Sequence, residues 1–479
     1  MSISAEKDVL SRANVAIIGG GFSGTTLAAQ LLRRAGPSFS VVVVEKTSPV
    51  GRGLAYGKQS RSLLLNVRVR NMSAFPDDPH HFLRWAQSTY DPATGPGSFL
   101  PRAVYGRYVE ETLREAAASG GRSRLEWLKD QALGLTPAGD GALEIRLSSG
   151  SRVRADRVVL ALGNFPPGDP LAGWGGALRR CYFRDPWSPD AFEGVAHLDS
   201  ILLVGSGLTS VDVAIQLRAH GFRGTIHIVS RHGLLPQSHK PTDASPPFWN
   251  ESSPKTTRAL LRLVREQVRK GRSEGTEWQS VFDSLRPLVA EIWQSLPGPE
   301  KRRFLRHVRP YWEVHRHRAA PQIAKLMNDD IASRQVQVHA GRITNYQEDE
   351  RGSTVTYRDR TTGKQHPLPV NRIINCTGPQ TDYRRLRDPL VSSLQGAGLA
   401  RPDPLFLGLD VSPDGALVSR EGAISESIYS VGPARKGSLW ESTAVPELRV
   451  QIHKLVEHLL ITEGKGPLPR HPNVHSCHP

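Results

Sequence analysis

A chain of 479 residues, at roughly 150 residues per domain, holds about three domains. With 62 basic against 46 acidic residues its net charge is +16, but the arginines are spread along the whole sequence, which reads as a solvated basic surface; no nucleic-acid partner is expected. No run approaches the ~18 apolar residues of a membrane span, and MSISAEKD at the start lacks the apolar core of a secretory signal. Cys181, Cys376 and Cys477 are too dispersed for a C-x-x-C redox pair and make a disulfide framework improbable, so a soluble protein of the reducing cytoplasm is expected.

The first element is the apolar run Val15 to Ile18, followed at once by Gly19-x-Gly21-x-x-Gly24. Thr25 to Arg34 then carries Leu27, Ala28, Leu31 and Leu32 at helical spacing, and Gly36-Pro37 stops it. Val41 to Val44 is a second all-apolar strand, ending at Glu45. Strands apolar on both faces belong to a parallel sheet covered on both sides, so this stretch is a βαβ unit. ADRVVLALGNFPP (Ala155 to Pro167) is a later strand running into Leu162-Gly163. A second βαβ unit starts at Ile201, with strand Ile201 to Val204, turn Gly205-x-Gly207-x-x-Ser210, a helix ending at Gly221, and strand Thr225 to Arg231.

Residues 234–330 differ in character. Pro236, Pro241, Pro246 and Pro247 mark a loop, and helical patterns follow over Thr256 to Lys270 and Glu277 to Leu296. Strands return around Val336 to His339 and Arg372 to Asn375, the latter inside VNRIINCTGPQTDY, which contains Thr377-Gly378. An amphipathic helix covers Glu447 to Leu460, before a Pro/His-rich tail.

The first glycine turn has the spacing that grips a diphosphate: Gly19 for the tight turn, Gly21 for close backbone approach, Gly24 for close helix packing. Glu45 closes the second strand 21 residues after Gly24, where a carboxylate accepts from ribose hydroxyls. The second turn has Ser210 third, still small, and 21 residues on stands Arg231 instead of an acid. An arginine pairs with a 2′-phosphate, so NADPH is favoured over NADH, although the same guanidinium can stack on adenine.

The two strand ends at Leu162-Gly163 and Thr377-Gly378 resemble the crossover strands of two-dinucleotide flavoproteins. GRGLAYG (Gly51 to Gly57), LLNVRVRNMSAFPDDPHHFLRW (Leu64 to Trp85) and VGPARKGSLWESTAVPELR (Val431 to Arg449) extend the likeness: the chain resembles the bacterial FAD/NAD(P)-binding family. The resemblance implies FAD at Gly19, Gly21, Gly24, Glu45, Gly53, Asn66, Gly378 and Gly432, and a nicotinamide cofactor, NADPH or NADH, at Gly205, Gly207, Ser210 and Arg231. It also implies that Gly51 to Gly57 wraps the flavin and that the last helix starts near the flavin's pyrimidine edge. Pro433 replaces the aspartate that the family places after Gly432. From the residues alone, Asn66 and Asn71 serve equally well as turn caps.

The fold class expected is α/β, with two Rossmann-like domains, the FAD domain discontinuous, the NAD(P) domain inserted, and a mostly helical insert. The boundaries are 1–170 for the first part of the FAD domain, 171–233 for the NAD(P) unit, 234–330 for the helical insert, 331–465 for the return to both domains, and 466–479 for the tail. The resemblance implies a monooxygenase consuming NAD(P)H and O2 on a small molecule, with the branch that resembles FAD-dependent urate hydroxylases as the favoured one: urate to 5-hydroxyisourate in purine breakdown. The alternatives are an N-hydroxylating amine or amino-acid monooxygenase, or a flavin dehydrogenase or reductase. For an anionic ligand, Arg316 and Arg318 in YWEVHRHR are the candidate contacts, against a structural ion pair between domains. His80-His81 and His315/His317 lack the further ligands of a metal site, and no metal is expected.

Overall fold

The structure, a computed structural model, describes residues 12–47, 50–57, 62–119, 124–174, 179–349 and 352–463. The Pro/His-rich tail, Cys477 and most of the starting segment lie outside the described residues. The first part runs β1 (Ala13–Ile18), α1 (Phe22–Arg34), β2 (Ser40–Glu45), α2 (Gly53–Tyr56), α3 (His81–Thr89), α4 (Arg102–Ser119), β3 (Arg124–Lys129), β4 (Ala132–Pro137), β5 (Leu143–Leu147) and β6 (Arg152–Leu160). Then come β7 (Tyr182–Phe183), β8 (Ser200–Val204), α5 (Leu208–Ala219) and β9 (Thr225–Ser230). Six helices follow: α6 (Thr257–Ser273), α7 (Trp278–Leu285), α8 (Val289–Ser295), α9 (Gly298–His307), α10 (Arg309–Arg316) and α11 (Pro321–Ala332). The remainder is β10 (Val336–Asp349), β11 (Gly352–Asp359), β12 (Gln365–Val370), β13 (Arg372–Asn375), α12 (Pro389–Gly396), β14 (Ala416–Val418), β15 (Ile424–Ser430), α13 (Lys436–Leu439) and α14 (Val445–Glu463).

The strands form two sheets. The first is ordered β14-β15-β6-β1-β2-β3, with β5 also pairing β6 and β4 pairing β5. The second is ordered β12-β11-β10-β9-β8-β13-β7. The chain therefore leaves the first sheet after β6, builds the second, and returns with β14 and β15. At the centre of each sheet the strands are parallel and largely apolar: Ile17 faces Val43 and Val159, and Leu203 faces Ile228 and Ile374. All six are fully buried, each such side chain contributing about 1.5–3 kcal/mol. Helices α1, α4 and α14 cover one face of the first sheet, and α5 and α11 cover the second.

The single helix expected over Glu277 to Leu296 is broken. Pro287 lies in a 3-10 turn, Arg286–Leu288, that separates α7 from α8, because proline has no N–H to continue the ladder. Beyond the expected elements stand α4 and the hairpins β4–β5 and β11–β12.

Candidate functional site

The two glycine turns are built alike. Gly19 N–H donates to Val44 O at 2.8 Å, and Gly205 N–H donates to Val229 O at 2.8 Å. Both glycines have positive φ, 111° and 109°. Each backs onto the crossover strand: a Cβ on Gly19 would strike the Ala161 carbonyl, and one on Gly205 would come within 2.6 Å of the Cys376 carbonyl. The crossover ends are tied in the same way, Ala161 N–H to Ile18 O and Cys376 N–H to Val204 O, both 2.8 Å. The helices that follow begin at Gly21 and Gly207, neither with a side-chain cap. Their amide groups and positive dipole ends suit a diphosphate.

Around the first turn, Gly24 lies so close under Gly19 that a Cβ would run into the Gly19 carbonyl. Gly20 N–H donates to Glu45 Oε2 at 2.6 Å, and Thr47 donates to Glu45 Oε1 from both N–H (2.8 Å) and hydroxyl (2.7 Å). The Gly51–Gly57 loop folds over this turn: Gly51 N–H donates to Gly20 O at 2.7 Å, and a Cβ on Gly53 would stand 3.0 Å from Gly21 Cα. Asn66 lies on the side facing the second unit, its carbonyl accepting from His239 Nε2 at 3.0 Å. Burial pushes the His239 imidazole down to about 4, so it is neutral at pH 7. Arg102 on α4 reaches Asp212 on α5 at 2.8 Å, both largely buried, and Arg68 donates to the Lys240 carbonyl. Gly432, with φ 90°, comes near Ser23 of α1, whose hydroxyl would lie 3.3 Å from a Cβ there. Pro433 opens a 3-10 turn after it.

Four of the expected residues, Arg231, Gly378, Arg316 and Arg318, stand differently in the structure. Arg231 is not the register equivalent of Glu45: Val229 occupies the place of Val44, so Ser230 matches Glu45, and α5 is one residue shorter than α1. Ser230 Oγ accepts from Ser206 Oγ at 2.8 Å and from Gly233 N–H at 3.0 Å. Arg231 is the first residue beyond the strand and is exposed. Arg360, 129 residues away on the turn after β11, donates to the Arg231 carbonyl at 3.4 Å. Neither guanidinium meets a carboxylate among the described residues, and together they help hold the nearby His232 below its ordinary range, after burial. No local sequence signal ties Arg360 to the second turn.

Gly378 follows β13 in the second sheet, not the first turn. Its neighbour Gln380 forms a bridge with Phe165, so the two crossover segments meet there. A Cβ on Gly163 or Gly378 would meet nothing within 4 Å, which leaves both strand ends open.

Arg316 and Arg318 are buried, 7% and 2% exposed, and already paired. Arg318 binds Asp283 at 2.6 Å; Arg316 binds Glu447 at 2.7 Å and stands 4.0 Å from Glu441. Their guanidinium charge is spent on α7 and on the start of α14, which favours the structural ion pair over direct anion binding. Arg286 adds a second bond to Glu447 at 2.8 Å, so the first turn of α14 is clamped by two arginines. Burial alone would raise the Glu441 carboxyl, but His317, Arg316 and the Trp312 indole N–H, 2.9 Å away, hold it down to about 2.

Between these helices runs a strained turn. Trp440 has φ 61° and ψ −58°, with Glu441 N–H donating to Leu439 O at 2.7 Å. This is the positive-φ γ-turn, which is rare for a non-glycine residue. It is held by stacking of Trp440 on Trp293, centroids 5.1 Å apart. Ser442 Oγ, Trp440 Nε1, Arg449 Nε and Arg316 Nε are buried without a hydrogen-bond partner among the described residues. All four can donate and find no acceptor among the described residues.

Comparison with known proteins agrees with this geometry. Residues 16–165 match the family described as FAD-NAD(P)-binding. The structure of the ornithine N-hydroxylase of Kutzneria sp. 744 superposes with TM-score 0.62 at 12% identity, covering 94% of this chain and 100% of that one. The L-lysine 6-monooxygenase of Pseudomonas syringae superposes with TM-score 0.63 at 15% identity, covering 94% and 99%. This chain shares their fold. In sequence, an uncharacterized protein of Mycobacterium tuberculosis (strain H37Rv) is 23% identical, covering 89% of this chain and 90% of its own length. The L-aspartate N-monooxygenase (nitrosuccinate-forming) of Streptomyces cremeus is 29% identical over 276 residues, 52% of this chain and 39% of that protein. None of the three that carry the name of an activity is named a urate hydroxylase.

Proposed function

We propose that this chain is an FAD-dependent, NADPH-oxidising monooxygenase that hydroxylates the nitrogen of a small amine or amino acid. The observation that carries the reading is the doubled glycine turn, each copy backed by its own crossover strand, within a fold shared end to end with N-hydroxylases. Bound FAD supplies hydride acceptance and the activation of O2 for transfer of one oxygen atom. The first turn fits FAD: an uncapped helix start, an opening where only glycines pass, and Glu45 positioned for ribose hydroxyls. Gly19, Gly21, Gly24, Glu45 and Gly53 hold that cofactor in this reading. Gly205, Gly207 and Ser210 hold NADPH, with Arg231 and Arg360 on its 2′-phosphate. The segment Trp440 to Arg449 offers donors to the flavin's oxygens and excludes water from them, and Arg286 and Arg316 fix the start of α14 through Glu447.

The relatives named for an activity support an N-hydroxylase over the urate reading. The dehydrogenase or reductase alternative differs in the fate of oxygen. The test is NADPH-driven turnover under isotopically labelled O2 with a panel of amino acids, diamines and urate. One labelled oxygen on the nitrogen of an amine supports the proposal; labelled product only from urate, or NADPH oxidation that labels no substrate, refutes it.

A further inference from the structure

Helix α6 presents five arginines, Arg258, Arg262, Arg265, Arg269 and Arg272, all exposed. Their offsets of four, three, four and three residues keep them within about 80° of arc on one line about 21 Å long, at 3.6 residues per turn and 1.5 Å per residue. The side turned away carries Leu260, Leu263 and Val264, and buries Thr257 and Gly271. The helix is pinned at both ends: Thr257 N–H donates to Glu300 Oε2 and its hydroxyl to Glu300 O, both 2.8 Å, and Thr276 N–H donates to Gly271 O at 2.7 Å. Glu266, the one acid within α6, lies at the edge of the line. None of the five arginines pairs with a carboxylate among the described residues. Adjacent like charges at this spacing destabilise a helix, so folding alone gives no reason for the row.

We propose that the outward face of α6 docks an acidic α-helix of a partner protein. A helix with carboxylates at i, i+4, i+7, i+11 and i+14 places its charges at the same pitch on a straight line, and each planar guanidinium can take a carboxylate through two N–H groups. Among the described residues no helix of this chain carries three acids at that spacing, which argues against a second copy as the occupant. A nucleic-acid duplex and an anionic lipid surface lack this helical register, and both are arms of the test.

The test uses the full-length, FAD-loaded protein and fluorescence anisotropy at low and moderate salt. The probes are a labelled helical peptide with glutamates at those offsets, its scrambled counterpart, a DNA duplex, and vesicles containing an anionic lipid. The registered peptide should bind at least ~10-fold more tightly than the scrambled one, and binding should weaken with salt. The combined Arg262→Gln, Arg265→Gln and Arg269→Gln variant should lose that preference while flavin absorbance and NADPH oxidation stay unchanged. Equal binding of both peptides, no binding at low salt, preference kept by the glutamine variant, or arginine-dependent binding of duplex or vesicles without the peptide would each overturn the proposal.

Discussion

The two glycine turns solve one backbone problem and then diverge in charge. In both, a positive-φ glycine backs onto a crossover carbonyl and opens an uncapped helix. At the strand end, the first turn holds a carboxylate on Gly20 N–H, while the second pairs two serine hydroxyls and adds Arg231 and Arg360 just beyond. The lesson is that the two turns share their backbone geometry and differ in one or two side chains past it, which on the proposed reading would set cofactor choice.

The strongest way to break this comparison is at the glycines themselves. Gly24→Val has no room, because its Cβ would enter the Gly19 carbonyl, so the variant should purify without flavin or fail to fold. Gly207→Ala meets nothing within 4 Å; it should keep FAD and raise only the KM for NADPH, as absorbance and steady-state kinetics will show. Next in size is the join between the two units. Arg102→Ala leaves Asp212 buried without its partner and should lower unfolding stability by about 3–5 kcal/mol in denaturant titration, whereas Arg102→Met with Asp212→Leu should recover most of the loss.

The cofactor contrast is sharpened by charge. Arg231→Ala and Arg360→Ala should each raise the KM for NADPH by roughly tenfold, with little change for NADH. Equal effects on both cofactors would remove the 2′-phosphate role. At neutral pH the smallest effect comes from Glu441, whose contribution shows only in acid. Glu441 is held near 2 in the fold, below an unfolded glutamate near ~4.3, so its ion pairing stabilises the protein above that pH and is lost as pH falls toward 2. Melting temperature should be flat near neutrality and drop below about pH 4.5, less steeply in Glu441→Gln.

Both βαβ units were legible because apolar strands, glycine spacing and helical periodicity agree over a short span. Less of the site was. Counting 21 residues from the third turn position finds Glu45 but overshoots Ser230, because one helix is a residue shorter, which only strand register reveals. Arg360 is brought to Arg231 by the β10–β11 pairing, a contact without a local sequence signal. Arg316 and Arg318 look like an exposed basic cluster in sequence, yet their acids, Glu447 and Asp283, lie on other helices. The helix expected from Glu447 starts at Val445, and the γ-turn ahead of it at Trp440 has no glycine to announce it.

Everything functional rests on a flavin facing a nicotinamide across the two turns. The direct measurement is anaerobic stopped-flow absorbance of the purified protein mixed with NADPH or NADH. A yellow protein carrying one FAD per chain, bleached faster by NADPH, is the predicted result. A colourless protein that takes up no FAD on reconstitution, or a bound flavin that neither nucleotide reduces, would contradict it.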